Sequence, residues 1–206
     1  MKIFFLKLFQ PNHLFTTFTL CDIQVDSNSA GSKRHHLSPP DPTLTEEKQL
    51  EIQMEVLHIL HVCAEIESTM AQIYEFFTIA YPNNPEITRL FEKTAAEERN
   101  HEYQFKFAIK TCGHMITDFN VSRQEAERHL VHARSILLQV RQRTPTVEEA
   151  LRMSINCETI FNQFHMDTAV RFSNTAGASL FKAMMAADEE HASSLEKALA
   201  KLKENA

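Results

Sequence analysis

A chain of 206 residues with only 3 glycines and no tryptophan, against 8 methionines and 15 phenylalanines, is typical of long helices with few tight turns, so we expect an all-α fold. Its length fits one domain with a sizeable core, or one domain with a tail, and leaves little room for two domains. The 21 basic and 27 acidic side chains give a net charge of −6 without a Lys/Arg-rich face, which argues against a nucleic-acid partner.

The first 42 residues lack the pattern of a packed domain. Residues 1–20 are apolar, as in a signal peptide, but polar residues interrupt the run, and it is too short to span a bilayer. Residues 22–42 are polar and contain three prolines, a composition typical of linkers. We predict a disordered or poorly ordered tail over residues 1–42 and one helical domain over residues 43–206.

Helix start and stop signals predict a first helical hairpin. A capping box predicts a helix over residues 43–80, which Pro82 ends. Asn84 followed by Pro85 predicts the start of a second helix, which continues to about residue 112, before a glycine. With so short a connection, the two helices should be antiparallel neighbours.

The rest of the chain contains a connecting helix and a second hairpin. A capping box at Ser122 predicts a shorter helix to about Arg143, which we interpret as a crossover and not as a fifth member of a bundle. Pro145 predicts a helix to about Phe172, and Gly177 is expected to precede the last helix. Two helical hairpins joined by a long crossover are the architecture of ferritin-like four-helix bundles.

The two hairpins share an order of polar residues. Each has an acid, an aromatic residue seven positions later, and then an acid with a histidine three positions after it. The members are Glu67, Tyr74, Glu98 and His101 in the first hairpin, and Glu158, His165, Asp188 and His191 in the second. This internal repeat is the first specific signal in the sequence.

The acids and histidines of the repeat fall on the core-facing stripes of their helices. An unpaired buried carboxylate is costly, and no Lys or Arg lies near the acids on these stripes, so two divalent cations would supply the missing charge. One E-x-x-H on a helix is usually a surface pair, but two, each with an upstream carboxylate, favour a two-metal site. The predicted ligands are Glu67, Glu98, His101, Glu158, Asp188 and His191.

Two stretches of the chain carry a family resemblance. They are AAEERNHEYQF, with Glu98 and His101, and AADEEHASSLEK, with Asp188 and His191. A third feature is Glu67, which lies seven residues before Tyr74. On these motifs, residues 50–203 resemble the rubrerythrin branch of the ferritin-like superfamily.

The resemblance implies a di-iron centre whose cofactor is two iron ions. It implies that Glu98 and Asp188 bridge the metals. Glu67 and Glu158 would bind terminally, and one histidine would serve each metal. Imidazole and carboxylate ligands suit iron or manganese, and zinc is a further alternative.

The chain departs from the family pattern at three points. It has no C-x-x-C pair and therefore no rubredoxin module; its cysteines are Cys21, Cys63, Cys112 and Cys157. Where the family supplies a further glutamate near Glu158, this chain has Ser154 one turn before and Phe161 one turn after. Asp188 is one methylene shorter than the glutamate expected there.

Our lead hypothesis is a di-iron oxidoreductase that acts on oxygen or peroxide. Its electrons would come from an external donor or from ferrous iron. A ferritin-type ferroxidase or iron-storage protein and a non-catalytic metal-binding scaffold are the alternatives. No catalytic residue is predicted beyond the ligands.

Tyr74 either hydrogen-bonds a ligand or simply packs, and His165 either contacts a ligand or is a satisfied core histidine. Cys63 and Cys157 are expected to be small core side chains.

The scattered cysteines favour reduced thiols, and we expect a cytoplasmic protein with no membrane partner; export is the alternative. The sequence does not distinguish a monomer from a homodimer.

Overall fold

Five helices make up most of the computed structural model, which describes residues 46–112, 116–118, 121–167, 171–172 and 175–204. In chain order the elements are α1 (Glu46–Ala80), α2 (Pro85–Cys112), β1 (Ile116–Asp118), α3 (Arg123–Gln142), α4 (Val147–Asp167), β2 (Arg171–Phe172) and α5 (Thr175–Glu204). The predicted all-α class is confirmed, with one very short pair of strands added. The predicted tail, residues 1–42, lies outside the described residues.

The turn between α1 and α2 follows from local capping. Asn84 donates its backbone N–H to the carbonyl of Tyr81 at 3.0 Å, and its side-chain oxygen accepts from the N–H of Ile87 at 3.3 Å. Helix α1 ends at Ala80 and α2 ends at Cys112, as the sequence predicts. The two helices therefore pack side by side as an antiparallel pair.

Helix α3 begins at the predicted cap and packs on α1. The hydroxyl of Ser122 accepts from the N–H of Glu125 at 3.2 Å. The buried stripe of α3 consists of Ala126, Leu130, Ala133, Ile136, Leu137 and Val140. Arg134 pairs with Glu65 of α1 along the rim of this contact. On its other side α3 reaches α4, where the rings of His129 and Phe164 lie 4.5 Å apart.

Two predicted boundaries in the second half were wrong. Helix α4 ends at Asp167, and Phe172 belongs to β2, which pairs antiparallel with β1. The backbone of Phe172 is thus in a ladder with Ile116 and is not available to a helix. Helix α5 begins at Thr175, so Gly177 lies in its first turn instead of before it.

The start of α4 also differs from the predicted one. A reciprocal capping box forms at Thr146, whose N–H donates to the Glu149 carboxylate at 2.8 Å and whose hydroxyl accepts from the Glu149 N–H at 3.2 Å. Pro145 therefore precedes the cap.

A buried aromatic cluster fixes α1 against α2. The rings of Phe77 and Phe91 lie 5.0 Å apart, and Tyr74 stacks on Phe91 at 6.0 Å. Helix α4 packs against α5, and α5 against α2. Among the described residues, no helix is both long and apolar enough to cross a membrane.

Candidate metal centre

Four helices each bring buried polar side chains to one region of the interior. The residues are Glu67 on α1, Glu98 and His101 on α2, Glu158 on α4 and His191 on α5, and each exposes at most 4 % of its surface. They are five of the six predicted ligands. The sixth, Asp188, and the predicted contact residue His165 lie in helices α5 and α4, but their side chains lie outside the described residues.

The first group of ligand atoms joins α1 to α2. Nδ1 of His101 lies 3.4 Å from Oε2 of Glu98 and 3.7 Å from Oε2 of Glu67. The i, i+3 spacing of Glu98 and His101 puts both side chains on one face of α2. This group offers two carboxylate oxygens and one imidazole nitrogen.

The second group joins α2 to α4 and α5. Nδ1 of His191 lies 3.2 Å from Oε1 of Glu98 and 3.6 Å from Oε2 of Glu158. It also offers two carboxylate oxygens and one imidazole nitrogen. The rings of His101 and His191 are nearly parallel, with centroids 5.8 Å apart.

Glu98 belongs to both groups and divides its carboxylate between them. Oε2 faces His101, and Oε1 faces His191. Within each group the ligand atoms all lie within 4.8 Å of one another. A carboxylate divided in this way could be shared between two ions.

The separations fit a shared ion better than direct hydrogen bonds. Two ligand atoms that each lie about 2.1 Å from one ion are roughly 3 to 4 Å apart. The four contacts of the two Nδ1 atoms span 3.2 to 3.7 Å. In the described part of the chain, Nδ1 of His191 is buried and has no aligned hydrogen bond. The residues present therefore fit a pair of divalent metal ions.

The electrostatics of the site show crowded negative charge. Burial, followed by the charge of Glu98, raises the pKa of Glu158 to about 7, against the opposing contacts of His191 and Tyr74. Burial also opposes the charge of Glu98, but contacts with Glu67, His101 and His191 outweigh it and hold the pKa of Glu98 well below its usual value. Burial favours a neutral His191, yet the surrounding glutamates raise its pKa. Without a metal, protons and a charged histidine would compensate the carboxylates.

Tyr74 contacts a proposed ligand directly. Its hydroxyl is completely buried and donates a hydrogen bond to Oε1 of Glu158. Of the two roles that the sequence left open for Tyr74, this contact favours a hydrogen bond to a proposed ligand. Burial and the nearby Glu158 charge raise the pKa of this hydroxyl, so Tyr74 is the proton donor of the pair.

Glu97 is the residue that the sequence reasoning missed. Its Oε2 lies 2.8 Å from Nε2 of His191, on the side of the ring opposite Nδ1. The E-x-x-H pattern begins at Glu98, and nothing in it marks the preceding residue, Glu97, as part of a site. Only the packing of α5 against α2 brings Glu97 and His191 together.

Comparisons with protein-family models, with curated proteins and with solved structures give no match for this chain. The likeness to rubrerythrins therefore rests on the motif residues themselves.

The two positions beside Glu158 that depart from the family pattern are filled by structural side chains. The Ser154 hydroxyl donates to the carbonyl of Ala150 at 2.8 Å, within α4. The Phe161 ring is buried and faces His132 of α3, with centroids 6.3 Å apart. Neither position adds a carboxylate to the site.

The cysteines near the site behave as core side chains, as predicted. Cys63 and Cys157 are buried and form no disulfide. Burial, together with the nearby carboxylates, raises the pKa of the Cys157 thiol to about 12 and also raises that of Cys63. Neither side chain offers a thiolate near neutral pH.

Proposed function

We propose that this protein is a rubrerythrin-like di-iron oxidoreductase of the ferritin-like superfamily that acts on oxygen or peroxide. One observation carries the proposal: Glu98 turns one oxygen to each of two buried carboxylate–histidine groups. A single structural ion needs only one such group, whereas a bridged pair needs a carboxylate shared between two. The proposal includes a four-helix bundle, formed by the α1–α2 and α4–α5 pairs, with α3 as the crossover on its outside.

The residues divide into two half-sites around Glu98. Glu67 and His101 would hold one ion, and Glu158 and His191 the other, with Glu98 between them. A pair of iron ions supplies one-electron redox chemistry at each metal, which these side chains cannot perform. Asp188, one turn before His191 on α5, is proposed as the second bridge on the strength of the sequence alone.

The chain's own contribution is to exclude water and to orient the ligands. Each of the five described ligand side chains is at least 95 % buried. The Tyr74 hydroxyl holds Oε1 of Glu158, which leaves Oε2 directed at His191. Manganese or zinc would satisfy the same ligand types, so the choice of iron rests on the resemblance.

Anaerobic reconstitution with ferrous iron, followed by a pulse of oxygen or peroxide, tests the proposal. We expect rapid oxidant consumption by the wild-type chain, repeated turnover when a reductant is supplied, and loss of both in Glu98→Gln. Glu102→Gln is a matched control, because Glu102 lies on the same helix and is also buried, but it pairs with Arg99 at 2.9 Å and Lys106 at 2.6 Å.

The outcomes separate the alternatives. Iron that accumulates far beyond two ions per chain in a closed oligomeric shell would indicate a ferritin-type storage protein. Oxidant consumption at the background rate, with metal bound, would indicate a non-catalytic scaffold.

A further inference from the structure

The imidazole of His191 presents its two nitrogens to two different sets of carboxylates. Nδ1 lies 3.2 Å from Glu98 and 3.6 Å from Glu158. Nε2 lies 2.8 Å from Oε2 of Glu97. The first two distances fit two ligands of one ion, whereas the third is short enough for a hydrogen bond.

Glu97 reaches from the surface of α2 to the buried ring. The side chain exposes 32 % of its surface, and Oε1 lies 3.6 Å from the ammonium of Lys93. Oε2 is buried, and in the described part of the chain neither it nor Nε2 of His191 has an aligned hydrogen bond with any group. A buried acceptor without a donor is costly, and Nε2 of His191 lies within hydrogen-bond distance of Oε2.

We propose that Glu97 is a positioning residue: it holds the proton of His191 on Nε2, so that Nδ1 is the nitrogen that binds metal. The inference rests on the proposed metal site and deepens it. A neutral imidazole carries one N–H, and a metal takes the lone pair of the other nitrogen. With a carboxylate at Nε2, the tautomer that binds through Nδ1 is stabilised, and the ring is fixed in orientation.

The rest of the Glu97 network is ordinary surface pairing. Lys93 also contacts Glu190 of α5 at 3.4 Å, but these two side chains are 54 % and 70 % exposed. Exposed pairs of this kind contribute little. The contact of Glu97 with His191 is therefore the part of the network that acts on the site.

A suitable control lies on the same two helices. Glu86 of α2 pairs with Lys201 of α5 at 2.7 Å, so it also joins α2 to α5 through a carboxylate. Glu86 and Lys201 are 63 % and 56 % exposed, whereas the proposed ligands that the structure describes are buried. Loss of this pair should leave metal binding unchanged.

Zinc titration of the full chain, combined with ¹⁵N NMR of the histidine rings, tests the inference without any redox activity. The variants are Glu97→Gln, Glu97→Ala and the control Glu86→Gln, with His191→Gln to assign the ring signals. Zinc is diamagnetic and binds the same ligand types. Circular dichroism checks that each variant keeps its helices.

We expect zinc-loaded wild type to show His191 bound through Nδ1, with a slowly exchanging Nε2–H. Glu97→Ala should weaken one of the two zinc positions about 10- to 100-fold, the range measured for partners of ligating histidines, and should speed exchange of the Nε2 proton. Glu97→Gln keeps an acceptor oxygen and the side-chain shape, so its loss should be smaller. Glu86→Gln should match wild type.

Different results would contradict the role of Glu97 and the proposed metal site. If both Glu97 variants bind two zinc ions with wild-type affinity and wild-type Nε2–H exchange, Glu97 has no positioning role, and the metal site stands without it. A Nε2–Zn bond in wild type would also overturn the inference. A wild-type chain that binds no zinc, iron or manganese would overturn both the inference and the proposed function.

Discussion

The hydroxyl of Tyr74 on α1 donates to Oε1 of Glu158 on α4, which follows it by 84 residues in the chain. Both side chains are buried, and the other oxygen of Glu158 faces His191. One hydrogen bond thus joins the first helix to the fourth and decides which oxygen of a proposed ligand is available to a metal. The contact is between the two halves of the internal repeat.

Tyr74→Phe should weaken metal binding at the Glu158 position and also destabilise the fold. Removing a buried hydrogen bond to a carboxyl group costs about 1–3 kcal/mol. Metal titration and urea denaturation measure the two effects separately. Tyr81→Phe is the matched control, because the Tyr81 hydroxyl donates to the carbonyl of Pro145 at 2.8 Å. It should lose stability but keep wild-type metal affinity; an equal loss of affinity in both variants would show that Tyr74 acts only through stability.

Glu98→Gln should lower the affinity of both metal positions, because the residue contributes one oxygen to each group. An amide has one oxygen and no charge, so it cannot bridge two ions as a carboxylate does. Glu158→Gln should lower the affinity of only one position. Isothermal titration with zinc or manganese compares the two variants. Selective weakening of a single position in Glu98→Gln would contradict the bridging role.

The metal-free protein should lose stability as pH rises. The pKa of Glu158 is raised from 4.5 to about 7, so the folded state binds more protons than the unfolded state between these values, and its contribution to stability falls across that window. The pKa of His191 is raised above 6.5, so its contribution falls as pH rises beyond that value. The lowered pKa of Glu98 gives a contribution that is constant above 4.5 and is lost in acid.

Urea denaturation of the metal-free chain between pH 5 and pH 8 measures this dependence. The midpoint should fall with rising pH, and Glu158→Gln, which mimics the protonated acid, should flatten the lower part of the curve. Metal affinity should rise over the same window, because metal binding displaces the protons. A metal-free midpoint that rises from pH 5 to pH 8 would mean that the site does not hold these protons.

Asp188→Ala should weaken one metal position and leave the helices intact. Asp188 lies three residues before His191 on α5, the spacing at which Glu98 precedes His101 on α2. Asp188→Glu should preserve the binding of two metals and increase turnover, since it restores the longer bridge. Wild-type affinity and turnover in Asp188→Ala would show that Asp188 is not a ligand.

Local signals in the sequence predict most of the fold. Helix α2 has the predicted bounds because the residues that fix its start, Asn84 and Pro85, lie at the start itself. The end of α4 was wrong because Phe172 pairs with Ile116, a contact between segments that are far apart in the chain. No local pattern reports such a pairing.

In the candidate site, too, local features could be predicted from the sequence and contacts between distant segments could not. Glu67, Glu98 and Glu158 could be identified because a carboxylate on an apolar stripe has an energetic cost that demands a partner. Glu97 could not, because it lies beside the stripe and acquires its partner, His191, only when α5 packs on α2. The proposed use of Nδ1 instead of Nε2 by His191 likewise depends on this packing.

Elemental analysis of the purified chain, after anaerobic saturation with ferrous iron and removal of unbound metal, measures whether it binds two ions. Two groups that share Glu98 predict two ions per chain. They also predict that Glu98→Gln retains fewer than two, while Glu102→Gln retains two. A wild-type chain that reproducibly retains one ion or none would contradict the two-metal site.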